Sequence, residues 1–301
     1  MDNNLNQIPQ KESIDDVLKK YKENDINTNN VAVNTSIPKS SYTKQDYENV
    51  LSKETDPDLI TSAEIIKLPS KGLFYKNGLS EVKVEYMTSK DEDVLTTASL
   101  IDNGTVFDVL LKRKIKTPNV NPDDLLLGDR SAILLFLRSS SYGSNYSVQV
   151  TDPRTGISFK TEIDLLKLKY KEINELPDQL GHFTVELPMR KKTVYFRLLT
   201  TGEDNIVYKK SEAMKEAYGS EFSEYSTMKL KAHIVSINEK TDRSYIDRFV
   251  DAMPALDALT IRKKIMDVSP DVNMDYEFTA KDGFKFNAKL TMGIDFFFPG
   301  A

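Results

Sequence analysis

The first 60 residues contain no phenylalanine, offer only Tyr21, Tyr42 and Tyr47 as aromatics, and are rich in Asn, Lys, Asp, Ser and Thr. A stretch of that composition cannot bury enough apolar surface to offset the entropy lost on ordering it. The core must therefore come from the rest of the chain, which predicts a flexible amino-terminal arm over residues 1–62 and a folded body over 63–301. Two places in the arm read as short inducible helices. Ser13 stands three residues before Asp16, and Ile14, Val17, Leu18 and Tyr21 fall at helical spacing. Thr43 and Asp46, with Tyr47, Val50 and Leu51, repeat the pattern. Ile14, Val17, Leu18, Tyr21 and Tyr47 are thus candidate docking residues for a partner, the alternative being a solvated leader.

The body reads as α+β, with antiparallel strands and hairpins packed against several helices. Val82, Val84 and Tyr86 alternate with polar residues as a strand does. Thr88 and Ser89 precede Asp91 and Glu92 by three residues each, a capping signal for a helix through about Ser99. Asn103-Gly104 breaks it and Val106 to Ile115 resumes. Asn121-Pro122 predicts another helix start, Gly128-Asp129 an interruption, and Arg130 to Arg138 an apolar helix. Tyr146, Val148 and Val150, the turn Asp152 to Gly156, then Ile157 and Phe159 form a hairpin pattern. Strands are expected at Phe183 to Leu187 and Thr193 to Leu199. Helical spacing covers 203–268, including Leu230, Ile234 and Ile237, and suggests a helical sub-domain divided by Pro254. A closing hairpin, Tyr276 to Thr279 and Phe284 to Phe298, surrounds Lys281-Asp282-Gly283. Strands and helices come in blocks, not in βαβ alternation, which favours α+β.

Composition narrows the chemistry. The net charge is −5, which argues against a duplex-DNA binder because affinity for phosphate comes from excess Lys and Arg. The sequence has no cysteine, so disulfides, thiolate catalysis and cysteine-held zinc are excluded. The acidic, polar start Met1-Asp2-Asn3-Asn4 lacks the pattern of a secretory signal and predicts a cytosolic protein. The apolar run Ala132 to Leu137 is far short of the ~20 residues of a membrane span and reads as a core helix. Nucleotide-loop and metalloprotease motifs are missing. His182 and His233 have no nucleophile motif nearby, and Asp91, Glu92 and Asp93 read as a first helical turn more readily than as metal ligands. No catalytic, metal or cofactor-binding residue is expected. Lys112, Arg113, Lys114 and Lys116 are the densest basic cluster, Arg190-Lys191-Lys192 a smaller one. The first suits a helix C-terminus and the second a solvated strand connection.

Five blocks in order resemble one family. They are Leu68-Pro69-Ser70-Lys71-Gly72-Leu73-Phe74-Tyr75; Met87-Thr88-Ser89-Lys90-Asp91-Glu92; Gly128-Asp129-Arg130 through Leu137-Arg138; Ser141-Tyr142-Gly143 with Tyr146; and Gly293 through Phe296-Phe297-Phe298-Pro299. The set is similar to the baseplate hub and tail-assembly proteins of T4-like, contractile-tailed phages. Members of that family often carry C-x-x-C-G turns of zinc-knuckle type. Here the corresponding turns are Asp152-Pro153-Arg154-Thr155-Gly156 and Thr279-Ala280-Lys281-Asp282-Gly283, so no zinc is expected.

The resemblance implies a non-enzymatic hub component that binds other baseplate and tail proteins, present in the host cytoplasm during assembly and in the virion if retained. A transient assembly chaperone and a nucleic-acid-binding module are the alternatives. Candidate partner residues in the body are Phe74, Tyr75, Arg130, Arg138, Tyr142, Phe296, Phe297 and Phe298. Turn residues flank Phe74 and Tyr75. Asp129 is expected to cap the helix after it, Arg130 or Arg138 to fork onto carboxylates. Three successive phenylalanines cannot share one strand face, so at least one must meet another layer, a loop or a partner.

Overall fold

Each element forms where local chemistry and burial agree. The computed structural model describes residues 62–218 and 223–298, all within one unit, Ile60–Ala301. The expected helices around Ile14 to Tyr21 and Tyr47 lie outside the described residues. Strands β1 (Ala63–Lys67) and β2 (Glu81–Glu85) pair antiparallel, Ala63 opposite Glu85. Helices α1 (Ser89–Thr96), α2 (Ala98–Asp102) and α3 (Val106–Lys114) come next, then a 3-10 turn at Pro122–Asp124 and the long α4 (Leu127–Tyr142). Hairpin β3 (Asn145–Thr151) and β4 (Ser158–Asp164) precedes β5 (Phe183–Glu186) and β6 (Thr193–Phe196). The chain continues through α5 (Thr201–Tyr218), α6 (Tyr225–His233), β7 (Ile234–Ile237), α7 (Arg243–Asp251) and α8 (Ala255–Val268). Hairpin β8 (Asp275–Thr279) and β9 (Lys285–Lys289) and a 3-10 turn at Ile294–Phe297 complete the described chain. The architecture is α+β, with antiparallel sheets of two or three strands.

Two hydrophobic cores organise these elements. The larger joins Val82 and Val84 of β2, Leu110 and Leu111 of α3, Ile133 and Leu137 of α4, Ile163 of β4, Phe278 and Phe286 of the last hairpin, and Phe296 and Phe297. The smaller joins Leu187, Val194, Ile234 and Ile237 to Leu230, Ile246, Phe249, Val250 and Ile261 from α6, α7 and α8. Full burial of such a side chain contributes roughly 1.5–3 kcal/mol. The cores meet through a smaller cluster in which Phe183, Phe196 and Val268 receive Phe74.

Several expectations need correction. Gly128-Asp129 does not interrupt a helix; both residues lie in the first turn of α4. Gly128 sits there because a Cβ would lie 2.0 Å from the Pro270 carbonyl oxygen. Asn121-Pro122 opens only one 3-10 turn, in which the Asn121 side chain accepts from the Asp123 N–H. The helix from Ser89 ends at Thr96, and Ala98–Asp102 is a separate short helix. Ile234 to Ile237 is a strand, the third of the β5-β6-β7 sheet, with Val194 opposite Ile237. The apolar run Ile-Val-Ser-Ile fits either period, and pairing with β6 decides it. The closing strand stops at Lys289, and the phenylalanines lie beyond it in a 3-10 turn and its exit.

Candidate interaction surfaces

Asp129 is fully buried and holds the segment after β1 against α4. Its Oδ1 accepts from the Ser70 N–H at 2.9 Å and its Oδ2 from the Tyr75 hydroxyl at 2.5 Å. Tyr75 Oη in turn accepts from the Leu126 N–H at 2.8 Å. Burial pushes the Asp129 carboxyl above its usual range, and burial together with the nearby Asp129 charge holds the Tyr75 phenol protonated. The loop closes at Gly72, whose φ of +76° and 2.4 Å approach of a built Cβ to the Gly78 carbonyl leave no room for a side chain. Asp129 is therefore a clamp for the loop and not the expected helix cap. Phe74 stacks on Phe183, centroids 6.3 Å apart, and so links the loop to the smaller core's sheet.

Arg138 is fully buried, with 0% of its surface exposed, and meets no carboxylate. Its Nε donates to the Phe296 carbonyl at 2.7 Å and Nη1 to the Gly143 carbonyl at 3.0 Å. The rings of Tyr142, Tyr146 and Phe296 surround the guanidinium at 5.4, 5.5 and 5.9 Å. Arg130 makes a single contact with Asp108, at 3.0 Å, and packs over Phe107. The bidentate fork belongs instead to Arg197 on Glu203, with both contacts at 2.7 Å. Phe296 and Phe297 are core residues, 3% and 0% exposed. The 3-10 turn sets Phe296 edge-on to Tyr146 and Phe297 against Phe107. As folded, Arg138, Phe296 and Phe297 are therefore internal and are not exposed anchors, whereas Phe298 is only half-buried. The Tyr142 hydroxyl donates to Glu92 at 2.7 Å, and its pKa is pushed up to about 12 by burial and then by that carboxylate.

The acidic and basic runs neutralise each other. Asp91 completes a capping box with Thr88 and also receives Arg113 at 2.8 Å and Lys114 at 2.6 Å. Burial raises its pKa, but these two cations and the Thr88 bonds outweigh it and hold the carboxyl at about 2. Lys112 pairs with Asp123, and Lys114 and Lys116 share Glu85. The cluster that alone suggested nucleic acid is thus balanced by internal carboxylates.

Three features have roles that the sequence does not disclose. Gly128 and Arg197 are two. The third, Asp257, is fully buried in the first turn of α8 and accepts from the Met189 and Arg190 N–H groups at 2.8 and 3.1 Å. A charged residue in a first turn reads as a dipole partner, which hides its longer-range use.

An open cleft of about 970 Å³ runs between the two cores, lined by Gly128, Leu198, His233, Arg262, Met266 and Asp271, among others. Some of its polar groups are committed to partners. The His233 imidazole contacts the Arg197 carbonyl at 2.7 Å, and burial lowers its pKa, so it is neutral and donates. Lys229 pairs with Asp204 at 2.8 Å, and Lys171 donates to the Met266 and Ser269 carbonyls. Met266 on the rim is 62% exposed, and Ile206, Met214 and Tyr218 stand exposed along α5. Among the described residues no group of three or more His, Cys, Asp or Glu could hold a metal, and no helix is long and apolar enough to cross a membrane.

A family model described as T4 bacteriophage base plate protein matches residues 60–298. No curated protein and no solved structure matches the chain.

Proposed function

The chain belongs to the T4 bacteriophage base plate protein family, and on that premise we propose that it is a non-enzymatic component of the central hub of a contractile-tail baseplate, binding other hub subunits. The observation that carries this reading is where the buried ionisable groups are used. Asp91, Asp129, Arg138 and Asp257 each tie one segment of the body to another. Ties of this kind spend the buried ionisable groups on holding the body's shape and leave exposed side chains to make the outside contacts.

The body contributes half-buried Phe298 and the exposed apolar residues of α5 and the cleft rim as contact groups. Ile14, Val17, Leu18, Tyr21 and Tyr47 supply a second contact region in the amino-terminal segment. Buried apolar and aromatic anchors would dominate the binding energy. Quantitative mass spectrometry of gradient-purified tails, baseplates and baseplate precursors tests this. A fixed stoichiometry in finished baseplates is expected. Presence in precursors alone would instead assign an assembly chaperone, and absence from both would end the proposal.

A further inference from the structure

The second basic cluster differs from the first in that, among the described residues, none of its side chains forms an ion pair with a carboxylate. Arg190 sits on the β5–β6 connection with Lys192, and α7 sets Tyr245, Arg248 and Phe249 beside them around an open pocket of about 710 Å³. Rings and carbonyls, not carboxylates, hold Arg190, Lys240 and Arg248. The Arg190 guanidinium lies 4.6 Å from the Phe249 ring centroid and donates to the Ala252 carbonyl. Lys240 lies 4.3 Å from the Tyr245 ring, and Arg248 Nε donates to the Ser244 carbonyl at 3.2 Å. The neighbouring acids are used elsewhere. Asp257 binds the Met189 and Arg190 N–H groups, Asp242 caps α7, Asp247 pairs with Arg243 and Asp251 with Lys231. Glu239, on the Lys240 turn, forms no ion pair with any of them, nor does any other carboxylate among the described residues. Aromatic contact fixes a cation in place without cancelling its charge.

We propose that this pocket receives an acidic segment, rich in Asp and Glu, of a neighbouring protein. The commitment to protein rests on the baseplate reading and on charge distribution. A nucleic-acid backbone needs a continuous basic track, whereas this chain has net charge −5 and its other dense basic cluster is neutralised by Asp91, Asp123 and Glu85. One isolated cationic pocket with an aromatic floor suits one or two carboxylates. Arg248 can offer a planar guanidinium and Lys192 a point charge at the rim, with the stacked Arg190 adding its charge beneath them.

The test uses the full chain and a fluorescein-labelled Asp/Glu peptide of about twelve residues, monitored by anisotropy. The double variant Lys192→Glu with Arg248→Glu, both exposed positions, should weaken binding by about tenfold or more. Lys112→Glu with Lys116→Glu makes the same change in net charge within the paired cluster and should leave affinity within about twofold. Circular dichroism confirms that both variants are folded. No binding by the wild-type chain, equal loss in the two double variants, or displacement of the peptide by a single-stranded oligonucleotide at lower concentration would overturn the proposal. A chain found in baseplates that fails these tests loses the acidic-segment assignment alone, so the two readings fail separately.

Discussion

At the residue scale, Tyr75 and Asp129 show how much one hydroxyl can hold. Tyr75→Phe leaves both the Asp129 Oδ2 and the Leu126 N–H without their partner. A loss of about 1–3 kcal/mol is expected in urea unfolding, with no change in secondary structure. Asp91 and Asp129 should respond to pH with opposite sign. The folded Asp91 carboxyl lies at about 2, below its ordinary value of 3.8. Its stabilisation is present above about pH 4 and is lost as pH falls through about 2. The folded Asp129 pKa is raised by burial, so its contribution is complete below its unfolded value and declines as pH rises through the folded one. Comparing Asp91→Asn with the wild type between pH 5 and 2, as acid unfolding curves, isolates the first effect: the variant should be less stable at pH 5 and less sensitive to acid.

At the element scale, the sequence makes legible whatever is decided within a few residues. The Thr88–Asp91 capping box, the turn ending at Gly156 and the strands at 183–186 and 193–196 all carry local signals. Elements decided by distant contact carry none. Gly128 looks like a helix breaker until Pro270, far along the chain, is seen to pack against it. Ile234 and Ile237 keep helical spacing yet pair with β6. Arg138 looks like a surface fork and is instead enclosed by Phe296 and Gly143 carbonyls. Gly128→Ala should therefore cost about 3 kcal/mol by overpacking. Gly104→Ala, where φ is +66° and no atom lies near, should cost about 1 kcal/mol from backbone strain alone. The hairpin turns 152–156 and 279–283 meet through Arg154 and Asp282, with Arg154 over the Phe284 ring at 4.6 Å. Arg154 also reaches the buried Asp152 carboxylate at 3.3 Å, so Arg154→Ala should lower the thermal midpoint by about 2–4 °C.

At the scale of the whole molecule, the two cores are joined at several places within one unit. Phe74 on Phe183, Gly128 against Pro270, the Thr201 N–H and hydroxyl on the Leu125 carbonyl and the Asn205 amide on Asp108 are among the ties. The most direct measurement is a cryo-electron-microscopy reconstruction of the intact phage baseplate. The account predicts density for residues 60–298 at the central hub, with Arg138, Phe296 and Phe297 still enclosed and acidic residues of a neighbour against Arg190, Lys192 and Arg248. A complete hub with no density for this chain, in particles and precursors alike, would contradict it.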